Sequence, residues 1–126
     1  MADQPVIGKR VLVVEDDTDI QEVLTQVLEL EGYEVIVADN GLKALERLNH
    51  SKTPDLIILD MMMPVMDGWE FRAKQREDPR LADIPVVILS ANGSIQQRTA
   101  FLGAAGFLKK PVELETLLHV VNEHCL

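Results

Sequence analysis

At 126 residues, 47% hydrophobic and with a formal net charge of −9 from twelve basic and twenty-one acidic side chains, the chain has the size of one globular domain that buries roughly two-thirds of the surface its unfolded form exposes. That charge repels nucleic-acid phosphates and anionic lipid surfaces, and no basic run in the sequence stands out to reverse it. The only cysteine, Cys125, excludes an intramolecular disulfide, and with neither a signal-peptide core in MADQPVIGKR nor a run of roughly eighteen apolar residues, a cytoplasmic protein without membrane spans is expected.

The predicted elements alternate along the chain. VLVVE (11–15) reads as a first strand, and Ile20, Val23, Leu24, Val27 and Leu28 then recur at helical spacing. YEVIVA (33–38) is a second strand, followed by a helix marked by Leu42, Leu45 and Leu48. DLIILD (55–60) is a third, followed by a weakly patterned helix near 68–77. IPVVILSA (84–91) is a fourth, followed by another weakly patterned helix near 94–103. GFLKK (106–110) is a fifth, and Leu114, Leu117, Leu118 and Val121 mark the last helix. The first, third and fourth strands are almost wholly Val, Ile and Leu, as parallel strands covered on both faces are. Five such units in so short a chain imply an α/β fold, an open parallel sheet with helices on both sides. No linker, repeat or low-complexity segment divides it, so one domain over 1–126 is expected, with a core of about 9–124.

In such sheets ligands bind beyond the carboxyl ends of the strands. There the first strand runs into Glu15, Asp16 and Asp17, the third ends in Asp60, the fourth in Ser90, and the fifth in Lys109 and Lys110 before Pro111. Singly these residues have ordinary readings: Asp17 or Thr18 as a helix cap, Ser90 as a strand end, Lys110 as a solvated charge. Together they gather like charges whose repulsion must be offset. A hard divalent cation suits carboxylate, carbonyl and phosphate oxygens. Zinc does not fit, because His50, His119 and His124 fall on helical segments away from the strand exits and read as surface residues. A nucleophilic aspartate, a divalent cation, a hydroxyl and a lysine are the parts of aspartyl-phosphate chemistry, with Asp60 as acceptor.

The segments VLVVEDD, DLIILDMMMPVMDGW, IPVVILSA and GAAGFLKKP, in that order, resemble the receiver domains of two-component response regulators over nearly the whole chain. The resemblance implies a flavodoxin-like, doubly wound, three-layer α/β/α fold with five helices and five strands in the order 2-1-3-4-5. It implies phosphorylation of Asp60, within a loop in which Met63, Pro64, Met66, Asp67 and Gly68 match the family pattern; Pro64 is expected to fix the turn and Gly68 to give backbone freedom. Mg²⁺, for which Mn²⁺ can substitute, would be held by Asp16, Asp60 and the backbone carbonyl of Met62, with Glu15 acting through a water; many relatives carry Asp where Glu15 stands. Met61 and Met63 read instead as apolar filler. Ser90 and Lys110 would contact the phosphoryl oxygens, the Lys110–Pro111 bond would be cis, and Ser90 and Phe107 would form the switch.

The implied partners are a histidine kinase or phosphotransfer protein upstream, and downstream a protein target or a second copy of the domain. The downstream contact would use the face of the fourth helix, fifth strand and fifth helix, where Ile95, Phe101, Leu102, Phe107 and Lys109 lie. Neither nucleic acid nor membrane is expected as a partner, and no enzyme activity beyond self-phosphorylation and self-dephosphorylation. With only fifteen residues after Pro111, no output domain is expected to follow. Four rival readings remain: a module of a larger hybrid kinase or multidomain regulator, a receiver that no longer takes phosphate, a flavodoxin-like nucleotide binder, and a small aspartate-dependent phosphohydrolase. The last would place a second acid where Met62 stands. A nucleotide binder would need a glycine-rich phosphate loop where EDD follows the first strand.

Overall fold

The computed structural model describes residues 8–91 and 103–125. Its strands are β1 (Arg10–Val14), β2 (Glu34–Ala38), β3 (Leu56–Asp60), β4 (Val86–Ser90) and β5 (Gly106–Lys109). All neighbouring pairs are parallel and the order is β2-β1-β3-β4-β5, as the family resemblance implies. The helices are α1 (Thr18–Leu30), α2 (Gly41–His50), α3 (Gly68–Glu77) and a C-terminal helix (Leu114–His124). The helix expected near 94–103 falls outside the described residues except at its last position, Gly103, so the described residues hold four of the five.

The three central strands are buried on both faces and divide their side chains between two cores. Leu12, Val14, Ile57 and Leu59 join Ala44, Leu48 and Phe71 from α2 and α3. Val11, Val13, Leu56 and Ile58 join Leu24 and Leu28 of α1 and Leu117 and Val121 of the C-terminal helix. Period-two alternation in the strands thus becomes a three-layer sandwich. The edge strands β2 and β5 are only partly covered.

Local chemistry sets the helix starts beside the sheet's carboxyl edge. Asp17 caps α1, its Oδ1 accepting from the backbone N–H of Asp19 (2.9 Å) and Ile20 (3.1 Å). Asn40 caps α2 by accepting from Lys43 N–H at 2.9 Å, and Asp67 caps α3 by accepting from Glu70 N–H at 2.9 Å. From β1 the chain turns outward to β2, and β3 lies on the other side, so the loops after β1 and β3 diverge and open a crevice at the strand ends. No helix among the described residues is long and apolar enough to cross a membrane.

Candidate functional site

Glu15 follows β1 directly and is fully buried. Its N–H donates to Ala38 O (3.0 Å), its carbonyl accepts from Gln21 Nε2, and its Oε2 accepts from Asp17 N–H (3.1 Å). Asp60 ends β3, also buried, and its Oδ1 accepts from Met62 N–H (3.2 Å). Asp16 is exposed. Each of the three offers a carboxylate oxygen, and the three oxygens lie within 4.8 Å of one another.

Lys110, one residue past β5, reaches into this cluster from the far side of the crevice. Its Nζ is 2.7 Å from Glu15 Oε1, a close ion pair without an aligned hydrogen bond, and 3.4 Å from Asp60 Oδ2. Burial pushes the Glu15 carboxyl up to about 7, with Asp60's charge adding to the rise, while Lys110 and the Asp17 N–H oppose it. Burial alone would lower the pKa of Lys110, but the two carboxylates outweigh it and hold the ammonium above its ordinary value. One ammonium therefore serves two buried carboxylates beside a third, exposed one. An all-oxygen set with uncompensated negative charge and an open side at Asp16 fits a hard divalent cation.

The structure also places the remaining candidates. Ser90 is buried at the end of β4, one position beyond the residue paired with Asp60, and its carbonyl accepts from Lys110 N–H (2.9 Å). Phe107 is half-buried on β5 against the α2 and α3 core. Lys109 is exposed and the Lys110–Pro111 bond is cis, both as expected. Met61 and Met63 are core residues, whereas the Met62 side chain is exposed, with its backbone tied to Asp60. Of the histidines, His50 and His119 are exposed and His124 is half-buried.

The loop after Asp60 departs from expectation in one respect. Left-handed backbone is needed at Val65 (φ 69°), between Pro64 and Met66, where Met66 N–H bonds back to Pro64 O at 2.8 Å. Gly68 is needed for space: a Cβ there would stand 2.6 Å from Met61 Sδ, 2.7 Å from Met61 Cα and 2.8 Å from Asp60 O. Its role is close approach rather than the backbone freedom expected of it. Gly41 is a second contact of this kind and was not foreseen, since its N–H donates to Met66 O (3.0 Å) and a Cβ would meet Met66 Cγ at 2.8 Å. Gln21 was also missed; besides holding the Glu15 carbonyl, it donates to Asp39 Oδ1 at 2.8 Å. Only its place one turn into the helix after EDD could have suggested it.

Comparison with known proteins agrees with this geometry. The response regulator receiver domain matches residues 11–122. The DNA-binding dual master transcriptional regulator RpaA of Synechocystis sp. is 40% identical over 111 residues, covering 86% of this chain and 46% of that protein. The chain thus spans about half the length of the curated relatives it matches. The chemotaxis response regulator CheY4 of Vibrio cholerae superposes with a TM-score of 0.85 at 33% identity, covering 92% of this chain and 98% of that one. The receiver domain of the sensor histidine kinase PA1611 of Pseudomonas aeruginosa, with a magnesium ion coordinated in its active-site cleft, superposes with a TM-score of 0.85 at 25% identity, covering 94% and 98%. The chain belongs to the response regulator receiver domain family.

Proposed function

We propose that Asp60 is a phosphoacceptor, charged by a phosphohistidine on a histidine kinase or phosphotransfer protein. The observation that carries the reading is the convergence of Glu15, Asp16, Asp60 and Lys110 at the exits of β1, β3 and β5. Asp16, Asp60 and the Met62 carbonyl would hold Mg²⁺, with Glu15 acting through a water, and the same oxygen donors suit Mn²⁺. The ion, when bound, supplies charge neutralisation for the transferring group.

An Asp60 carboxylate oxygen forms the new bond to phosphorus as the bond to the histidine nitrogen breaks, leaving a neutral imidazole on the partner. Lys110 carries the only ammonium within reach among the described residues, and it pairs with a phosphoryl oxygen. The Ser90 hydroxyl donates to a second oxygen, and its movement makes room for Phe107 to turn inward. That changes the face around β5, to which a protein target or a second copy of the domain responds. Water later hydrolyses the acyl phosphate, and no other catalysis is assigned. An apolar groove of about 240 Å³ beside Lys110, with Ile20, Val23, Pro111 and Leu114 in its wall, gives an upstream partner a surface next to the site. A kinase-facing, cytoplasmic setting follows from this role.

A second arrangement keeps the chemistry and changes the context, because the chain spans about half of relatives such as RpaA: the receiver can serve as the input module of a longer regulator. The metal assignment is tested by titrating Mg²⁺ against Trp69 fluorescence, Trp69 lying in the first turn of α3, directly after the loop that follows Asp60. Saturable quenching that weakens in Asp16→Asn supports it. Equal quenching in that variant removes Asp16 from the ligand set.

A further inference from the structure

β2 ends the sheet, and no strand among the described residues flanks its outer side. Glu34 N–H donates to Lys9 O (2.9 Å) and Ala38 O accepts from Glu15 N–H (3.0 Å). In a parallel ladder the bonding residues alternate, so positions 34, 36 and 38 address β1 while the N–H and C=O groups of Val35 and Val37 point outward. Val35, Ile36 and Val37 are each only half-buried. Among the described residues the strand thus offers an unpaired row of donors and acceptors over an apolar floor.

Along one side of this edge runs a groove of about 530 Å³ whose charged residues are Arg10, Glu34, Arg47 and Lys52. Three cations against one carboxylate leave a local surplus of two positive charges in a chain of −9. The three come from β1, α2 and the turn after α2, so the patch is invisible in the sequence. Arg10 is engaged by Glu34 Oε1 (2.8 Å) and Lys52 O (3.2 Å), with its Nε–H left without an acceptor. Arg47 and Lys52 are exposed, and neither forms an ion pair among the described residues. The other side of the edge, lined by Gln21, Glu22, Thr25, Gln26 and Val37, lacks any cation.

We propose that the β2 edge takes an extended acidic segment of another protein as an added strand. Residues of the added strand alternate between its two sides. Those facing α2 meet Arg47 and Lys52 and are acidic; those facing α1 meet Val37 and Thr25 and are apolar or uncharged. A second copy of this chain is a poor occupant, because two-fold pairing of two β2 edges sets Arg47 and Lys52 of each against the same residues of the other. The inference stands independently of the phosphoacceptor reading.

The test uses fluorescein-labelled peptides of alternating Glu and Val, with an alternating Lys and Val control, read by anisotropy and by amide shifts in ¹⁵N-labelled protein. The acidic peptide should bind, move the Val35 and Val37 amides, and weaken about tenfold with the exposed double substitution Arg47→Glu and Lys52→Glu. N-methylation of one alternate set of peptide amides should abolish binding and N-methylation of the other should not, since only one set faces β2 and neither change alters the charge. The proposal is overturned if the acidic peptide does not bind, if the Lys and Val peptide binds as well, if the double variant binds the acidic peptide unchanged, if neither set of N-methylations weakens binding, or if the shifts lie elsewhere. It is equally overturned if sedimentation shows wild-type protein pairing with itself through this edge.

Discussion

Lys110 Nζ lies 2.7 Å from Glu15 Oε1, closer than the 3.4 Å that separates it from Asp60 Oδ2. The lysine assigned to the phosphoryl group therefore rests mainly on the neighbouring acid, and it must redistribute when Asp60 is modified. Lys109, next in sequence, is exposed and paired in the ladder with Ser90. Lys110→Ala is expected to impair phosphorylation-dependent change at the β5 face, while Lys109→Ala leaves Asp60 chemistry intact. Binding of beryllofluoride to each variant, followed by amide shifts at residues 106–109, separates the two. The reverse pattern would mean that the register of β5 over the site has been misassigned.

The buried Glu15 makes stability depend on pH. Its folded pKa, about 7, lies above the ordinary value of 4.5, so the folded chain holds this proton more tightly than the unfolded one. The stabilisation is fully present below the unfolded value and is lost as pH rises through the folded one. Metal-free protein should thus melt at a lower temperature at about pH 8 than at about pH 5, by a loss on the order of 2 kcal/mol, since a tenfold difference in proton affinity between the two states is worth about 1.4 kcal/mol. Glu15→Gln should flatten this part of the profile. Mg²⁺ should restore stability on the alkaline side in the wild type, where the cluster is fully charged.

Gly68→Ala should be costly because two of the atoms its Cβ would meet, Met61 Cα and Asp60 O, belong to the backbone of the site loop. Overpacking of this kind costs about 3 kcal/mol. The displacement falls on Asp60, so Mg²⁺ affinity should drop along with stability. Gly41→Ala meets mainly the Met66 side chain, besides Met66 O at 3.0 Å, and should cost less in a urea melt.

Val65 holds a left-handed backbone angle (φ 69°) and the residue is 76% exposed. A β-branched residue in that region costs about 1–3 kcal/mol, and glycine loses about 0.5–1 kcal/mol more conformational entropy on folding. Val65→Gly should therefore raise stability by a net of about 1 kcal/mol by relieving the turn, measurable as a higher denaturation midpoint at unchanged slope.

The central strands were legible because β1, β3 and β4 are buried on both faces and so read as unbroken apolar runs. The fourth was read too long: Pro85 lacks the N–H a ladder needs, and only its carbonyl joins, accepting from Ile57 N–H at 3.0 Å. α3 was faint because its inward face carries Arg72 and Gln75 beside Phe71. Arg72 Nη1 donates to Gln75 Oε1 (2.8 Å), and Gln75 donates to the carbonyls of Leu81 (2.9 Å) and Ile84 (3.2 Å). A polar network buried in this way erases the periodicity on which a helix is recognised. In the site, the acids and Lys110 were legible as polar residues at strand exits. The closeness of Lys110 to Glu15 was not, because no local pattern encodes a contact between residues so far apart. The γ-turn at Val65 escaped notice for a related reason, since a residue so poorly suited to that angle gives no signal of it.

Whether Asp60 takes up a phosphoryl group is decided by intact-mass measurement after incubation with acetyl phosphate, followed by peptide mapping of the labelled residue. One added phosphoryl group, on Asp60, is expected with Mg²⁺ present, and none is expected in chelator or in Asp60→Asn. A stable phosphoryl group gained at the same rate by Asp60→Asn, or by the wild type without a divalent cation, would contradict this.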